Sequence, residues 1–209
     1  MKIFISIFIL LQIVTCNNII AQDTIWFMSG ERLITSNYTL KVEDGMLTYF
    51  NKRNKEKKVG LEYVFSIHEK NGNERVFYEA TSIDNTPFSV EQMRSFMKGE
   101  FEASQNYRSN GSFIVGFVAG AGGFYLFPLV LNAPVFYSPV IPAANSAVTG
   151  MINPSEKKII KKYPQYAEDE YFKAGYTEIG KQKRISHSIV GGIIGIAAGI
   201  VSALIIKPY

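Results

Sequence analysis

Gly191-Gly192-Ile193-Ile194-Gly195-Ile196-Ala197-Ala198-Gly199 decides the fold. Its Gly191, Gly195 and Gly199 recur every four residues, so on an α-helix they share one stripe. The stretch lies inside 185–206, which carries no Asp, Glu, Lys or Arg. At about 1.5 Å per residue that segment matches the ~30 Å hydrocarbon core of a bilayer. A stripe without side chains lets a second backbone come close. In lipid, dispersion and weak Cα–H contacts then supply the attraction that water would otherwise provide. Gly116 and Gly120 repeat the spacing in a second charge-free block, 109–155. These five glycines are candidate helix-packing positions, joining the two blocks to each other or one copy of the chain to another.

The second block cannot be one span. Residues 111–152 as a straight helix would reach about twice the hydrocarbon thickness. Pro128, Pro134, Pro139 and Pro142 interrupt it, because proline lacks the amide donor and clashes with the preceding turn. The pattern predicts a helix over about 111–127, a bend near Asn132 and a shorter helix over about 139–152, together an apolar helical hairpin. Residues 153–186 form a charged, aromatic-containing helical linker, and 187–209 the final Gly-rich transmembrane helix. In the linker the acids gather before the bases over 167–184, the order a helix dipole favours. Tyr171, Phe172 and Tyr176 give it an aromatic face suited to a membrane interface. Lys157, Lys158, Lys161, Lys162, Lys181, Lys183 and Arg184 flank both apolar blocks and are candidates for lipid head-group contact, at ~1 kcal/mol each. This basic cluster sets up a conflict: two crossings after an exported domain leave 153–186 outside, whereas positive loops tend to stay in the cytoplasm. A re-entrant second segment is one resolution.

The rest of the 209 residues reads differently. Lys2, the apolar run 3–14 and the small residue Ala21 make 1–21 a signal peptide cleaved after Ala21. An uncleaved anchor and a lipidated Cys16, in Ile13-Val14-Thr15-Cys16, are the alternatives. Cys16 is the single cysteine, so the cleaved chain has no disulfide or thiol chemistry and holds together by burial. Residues 22–86 alternate in the manner of a small antiparallel β domain. Asp44-Gly45 and Asn71-Gly72 mark hairpin turns, and four to six strands paired mainly with neighbours predict a meander or open barrel. Residues 87–110 hold an amphipathic helix, with Ser89 and Gln92 in a capping-box pattern. Its stripe Val90, Met93, Phe96, Met97 and Phe101 is suited to cover an open face of the β domain. The fold class expected is thus an α+β membrane protein: β domain, amphipathic helix, apolar hairpin, final long helix.

Sites of chemistry are scarce. His68 and His187 are the only histidines, and neither stands in a metal-ligand spacing. No Gly-x-Ser-x-Gly elbow occurs, Phe117 stands where a phosphate loop needs Lys, and no acid lies in the apolar blocks to mark an ion path. No catalytic residue, metal or cofactor is expected.

Several short motifs accompany this layout: Ala21-Gln22-Asp23-Thr24-Ile25, Ser29-Gly30-Glu31, Val64-Phe65-Ser66-Ile67, Glu91-Gln92-Met93-Arg94 with Gly99-Glu100, and Tyr171-x-x-x-Gly175-Tyr176 before Lys181-x-Lys183-Arg184. In these the chain resembles a group of uncharacterised exported membrane proteins of Bacteroidota. The resemblance implies a Gram-negative envelope setting and no activity. The function expected is a non-enzymatic, multi-span envelope protein, favouring the inner membrane, that tethers a periplasmic β domain near a protein or envelope partner. Membrane lipid and a second copy are further expected partners, and nucleic acid is not. An outer-membrane structural factor anchored through Cys16 is the runner-up, and a membrane-associated hydrolase comes third.

Overall fold

The computed structural model describes residues 22–51, 53–79, 88–130, 132 and 134–206. The expected leader with its cleavage after Ala21, Cys16, and the last residues 207–209 lie outside the described residues. The chain is α+β, two small antiparallel sheets followed by helices, and it divides into two compact units, Met1–Tyr78 and Glu79–Tyr209. The division falls ahead of the expected 86/87 boundary.

In the first unit the strands are β1 (Asp23–Phe27), β2 (Arg32–Thr35), β3 (Tyr38–Lys41), β4 (Met46–Phe50), β5 (Glu56–Gly60), β6 (Val64–His68) and β7 (Glu74–Val76). One sheet has the order β2-β1-β6-β7 and the other β3-β4-β5. Both turn signals hold: Gly45, at φ +62, joins β3 to β4, and Gly72, at φ +89, joins β6 to β7. The single meander does not. β6 buries Val64, Phe65, Ser66 and Ile67 in succession, so both of its faces are covered and both of its edges need partners. β1 supplies the second edge, with Ile25 opposite Ile67. Ile25, Leu47, Val64 and Ile67 form the core between the sheets. Tyr38 of β3 is bonded to Asp23 of β1, and burial first, then this carboxylate, pushes its hydroxyl up to about 12.

In the second unit the helices are α1 (Val90–Asn106), α2 (Asn110–Leu129), α3 (Val140–Met151), α4 (Glu156–Lys162) and α5 (Glu170–Ile206). The capping box at α1 is complete: the Ser89 hydroxyl accepts from the Gln92 amide at 3.3 Å, and Gln92 Oε1 accepts from the Ser89 amide at 2.8 Å. Between α2 and α3 the chain bends where the prolines predict, with Asn132 in the left-handed region at φ 53. The expected break between a charged linker and a final helix is absent. α5 runs unbroken for 37 residues, about 55 Å, so 186/187 marks a change of chemistry inside one helix. Asp169 caps its start, accepting from the Phe172 amide at 2.9 Å.

Pairwise contacts give the directions. Gln92 meets Tyr171, Gly116 meets Ser188 and Tyr125 meets Ser202, so α1 and α2 run parallel to α5. Gly150 meets Ile185, Ser146 meets Ser188 and Pro142 meets Gly192, so α3 runs antiparallel to it. The charged end of this unit has its own core of Ala103, Ile159, Tyr163, Phe172 and Tyr176, with Tyr166 stacked on Phe172 at 4.2 Å. Phe172 and Tyr176, expected on an interfacial face, are therefore interior, because α4 and the 3₁₀ turn Pro164–Tyr166 lay Tyr163 and Tyr166 against them. Tyr171 is half-buried and bonded to Gln92 at 2.6 Å.

This placement separates neighbouring aromatics. Phe172→Ala should cost about 3–5 kcal/mol and Tyr171→Ala much less, read as helical melting by circular dichroism. Equal losses would overturn this separation, small ones putting both on the surface and large ones both in the core.

Candidate functional site

The five glycines singled out by spacing meet on one seam between α2 and α5. A Cβ built at Gly116 would lie 2.1 Å from the Ser188 carbonyl oxygen, and one at Gly120 2.1 Å from that of Gly192. In return, Cβ atoms at Gly191 and Gly195 would lie 2.1 and 2.2 Å from the carbonyl oxygens of Phe113 and Phe117. At Gly199 the obstacle is the Phe124 side chain, at 2.8 Å. Contact is thus backbone to backbone, in both directions, within one chain. The seam continues where the sequence reading did not follow it. A Cβ built at Gly99 of α1 would lie 2.1 Å from the Phe172 carbonyl oxygen, and one at Gly175 2.0 Å from that of Phe96. One signal was available: Gly175 stands a multiple of four residues before Gly191, though charge on either side hides it.

Small hydroxyls complete the seam. Ser188 is fully buried and accepts from Asn145 Nδ2 at 2.9 Å and from the Ser146 hydroxyl at 3.1 Å, tying α3 to α5. Ser109, also buried, shares a hydrogen bond with His187 Nδ1 at 2.8 Å and donates to the Lys183 carbonyl at 3.1 Å. Tyr125 and Ser202 bond near the far end. The outside carries the bulk: Ile114, Val115 and Val118 on α2 and Ile193, Val201, Leu204 and Ile205 on α5 are all more than half exposed. A water-soluble bundle has the reverse arrangement.

The basic residues divide into groups. Lys183 Nζ donates to the carbonyls of Ala103 at 3.1 Å, Ser104 and Tyr107 at 3.3 Å, closing the C-terminus of α1. Burial lowers its pKa. Arg184 Nη1 does the same for α3, at 2.9 Å to the Ile152 carbonyl and 3.3 Å to that of Asn153. These two expected head-group residues are helix caps. Lys157, Lys158, Lys161 and Lys162 are exposed on α4, and Lys181 is half-buried beside Glu178 in the wall of a cleft. Lys173, which the sequence reading left without a role, is buried and paired with Glu156 at 2.9 Å and Glu170 at 2.6 Å. His68 faces Glu74 across β6 and β7, Nε2 to Oε1 at 3.2 Å. Among the described residues no group of His, Cys, Asp or Glu side chains is placed to hold a metal ion.

Glu100 is the one acid on the seam's charged end whose titration is displaced. It lies in α1 beside Gly175, 9% exposed, and its Oε2 has no hydrogen-bond partner among the described residues. Burial first, then the charge of Glu178, pushes its pKa up to about 7. From the ordinary carboxylate range up to that value the folded chain holds a proton that the unfolded chain has lost. Stability therefore falls as pH rises through this window and is flat above it.

Two outcomes follow. Gly120→Ala should destabilise the helical unit by about 1–3 kcal/mol, whereas Gly122→Ala, whose Cβ would meet nothing within 4 Å, should be neutral or slightly stabilising in a detergent melt. Glu100→Gln should raise the melting midpoint at pH 8, leave it unchanged at pH 4, and remove the slope between.

The chain matches no family model, no curated protein and no solved structure.

Proposed function

We propose that the chain is a non-enzymatic membrane protein of the cell envelope. In this reading α2, α3 and the C-terminal part of α5 lie in lipid, and the first unit is held beside the bilayer for a protein or envelope partner. The observation that carries the reading is the inverted packing, with glycine and serine inside the seam and isoleucine, valine and leucine outside it. α5 is the described helix long and apolar enough to cross a membrane by length and composition, with a mean hydropathy of 2.3 over its apolar window and only 28% of that window covered by the rest of the chain. In water so large an apolar surface would drive association; in lipid it is solvated. The hydroxyl pairs of the seam fit the same setting, where interhelical hydrogen bonds contribute ~0.6–2 kcal/mol each.

The helix directions bear on topology. α1 and the charged half of α5 lie side by side, and so do α2 and its apolar half, so 153–186 fall on the same face of the membrane as α1. Going out along α2 and back along α3 satisfies this. α3 alone, 12 residues or about 18 Å, is too short to cross, and the 3₁₀ turn Val135–Tyr137 and the prolines around it belong to the turning region. The sequence has no apolar block between β7 and α1, so in this reading the first unit does not cross the membrane. Tethering then raises the concentration of the first unit near any partner at the membrane surface.

Alkaline carbonate should leave the chain in the membrane pellet; release into the supernatant would remove the reading. In a Cys16→Ser background, cysteines placed at the exposed Lys58 and Lys161 should react with an impermeant maleimide from one and the same side, the periplasmic one. Labelling from opposite sides would overturn the proposed path of α2 and α3 while leaving membrane residence intact.

A further inference from the structure

A cavity of about 360 Å³ opens where the charged and apolar halves of the helical unit meet. Arg108 and Arg184 line it from the ends of the two charged segments, each the last charge before an apolar block. Lys158 and Lys162 line it from α4, one helical turn apart and on one face with the buried Ile159. Four cations thus surround one space, and none of its lining residues is a carboxylate. The carboxylates nearest in sequence have other partners. Glu102 accepts from Asn106 Nδ2 at 2.9 Å and from the Tyr163 hydroxyl at 3.0 Å, and Glu156 pairs with Lys173 at 2.9 Å. Like charges gathered without internal counter-charge repel, and an external anion relieves the repulsion. Tyr107 and Tyr176 contribute aromatic wall beneath the cations, so the space has an apolar side as well.

Resting on the membrane reading above, we infer that this cavity binds the phosphate of an anionic phospholipid head group. Its level in the fold decides the source. α2 leaves the cavity at Asn110 and α3 ends just before it at Met151, so the lining cations stand at the plane where a bilayer's head groups would lie. A phosphate there meets Arg108 and Arg184 guanidinium groups able to donate two hydrogen bonds each, and the two lysines as point charges. Arg184 already gives Nη1 to the α3 carbonyls, which holds its guanidinium in position at the rim. The site is narrower than the basic cluster legible in the sequence. It adds Arg108 and leaves out Lys157, Lys161, Lys181 and Lys183.

Full-length protein in neutral detergent is titrated with short-chain phosphatidylglycerol, phosphatidylcholine or inorganic phosphate, and helical melting is followed by circular dichroism. Phosphatidylglycerol should raise the melting midpoint well beyond the other two. In Arg108→Gln/Lys158→Gln its apparent affinity should fall by about tenfold or more, with the lipid-free midpoint unchanged or raised as the repulsion is relieved. Lys157→Gln/Lys161→Gln, which also removes two charges but both from the side of α4 away from the cavity, should bind like the wild type. Equal loss in both double variants would overturn the pocket in favour of diffuse attraction. Equal response to phosphatidylcholine would overturn charge recognition, and equal response to inorganic phosphate would overturn the lipid source. Should Arg108→Gln/Lys158→Gln prove unstable, Lys162→Gln alone must still lower the affinity. Carbonate extraction reports on the membrane reading independently, so a chain retained in the pellet that ignores phosphatidylglycerol defeats the pocket alone.

Discussion

The second unit depends on the close approach of two parallel backbones with no room for a methyl group between them. Gly116 and Gly120 on α2 and Gly191 and Gly195 on α5 place their missing side chains about 2 Å from a facing carbonyl oxygen, well inside any tolerable contact. Such a seam fixes register, because sliding one helix past the other by a residue would bring a Phe or Ile against backbone. It also fixes direction. Parallel neighbours cannot be joined by a short turn, so the chain must come back before α5 begins, and α3 and α4 are that return. Ser188 shows how the three are locked together: its carbonyl faces Gly116 on one side and its hydroxyl receives Asn145 and Ser146 on the other.

Along α5 the packing chemistry changes while the backbone does not. The charged half buries Phe172 and Tyr176 against other aromatics, as a water-facing helix does. The apolar half buries glycine and serine and exposes isoleucine. Lys183 and Arg184 stand at the joint, each satisfying the open carbonyls at the end of a different helix. The cations nearest the apolar segment therefore also close the helices that stop there.

Much of this was legible. Proline chemistry located the bend between α2 and α3, because the loss of an amide donor is a local property. Ser89 with Gln92, and the Asp-Gly and Asn-Gly turns, were readable for the same reason: a few adjacent residues determine them. The four-residue glycine spacing pointed to the residues of the seam. What stayed hidden is non-local. Nothing near Ile25 announces that it pairs with Ile67, and nothing near Lys183 says that the carbonyls of Ala103 and Tyr107 await it. Gly99 and Gly175 escaped because charged neighbours made their segments look like a linker and a surface helix. A change in composition at 186/187 was read as a break, although nothing at that point stops a helix.

In the proposed topology the basic segment 153–186 lies outside the cytoplasm, against the usual bias of Lys and Arg, and its cations answer to local partners instead. Lys173 is matched by Glu156 and Glu170. Lys183 and Arg184 are held by carbonyls at the negative ends of helices, the placement a helix dipole rewards. The lysines of α4 are the remaining group on the surface. A segment whose bases close helices and, in the proposed site, face a phosphate has a structural reason to be basic on whichever side of a bilayer it folds.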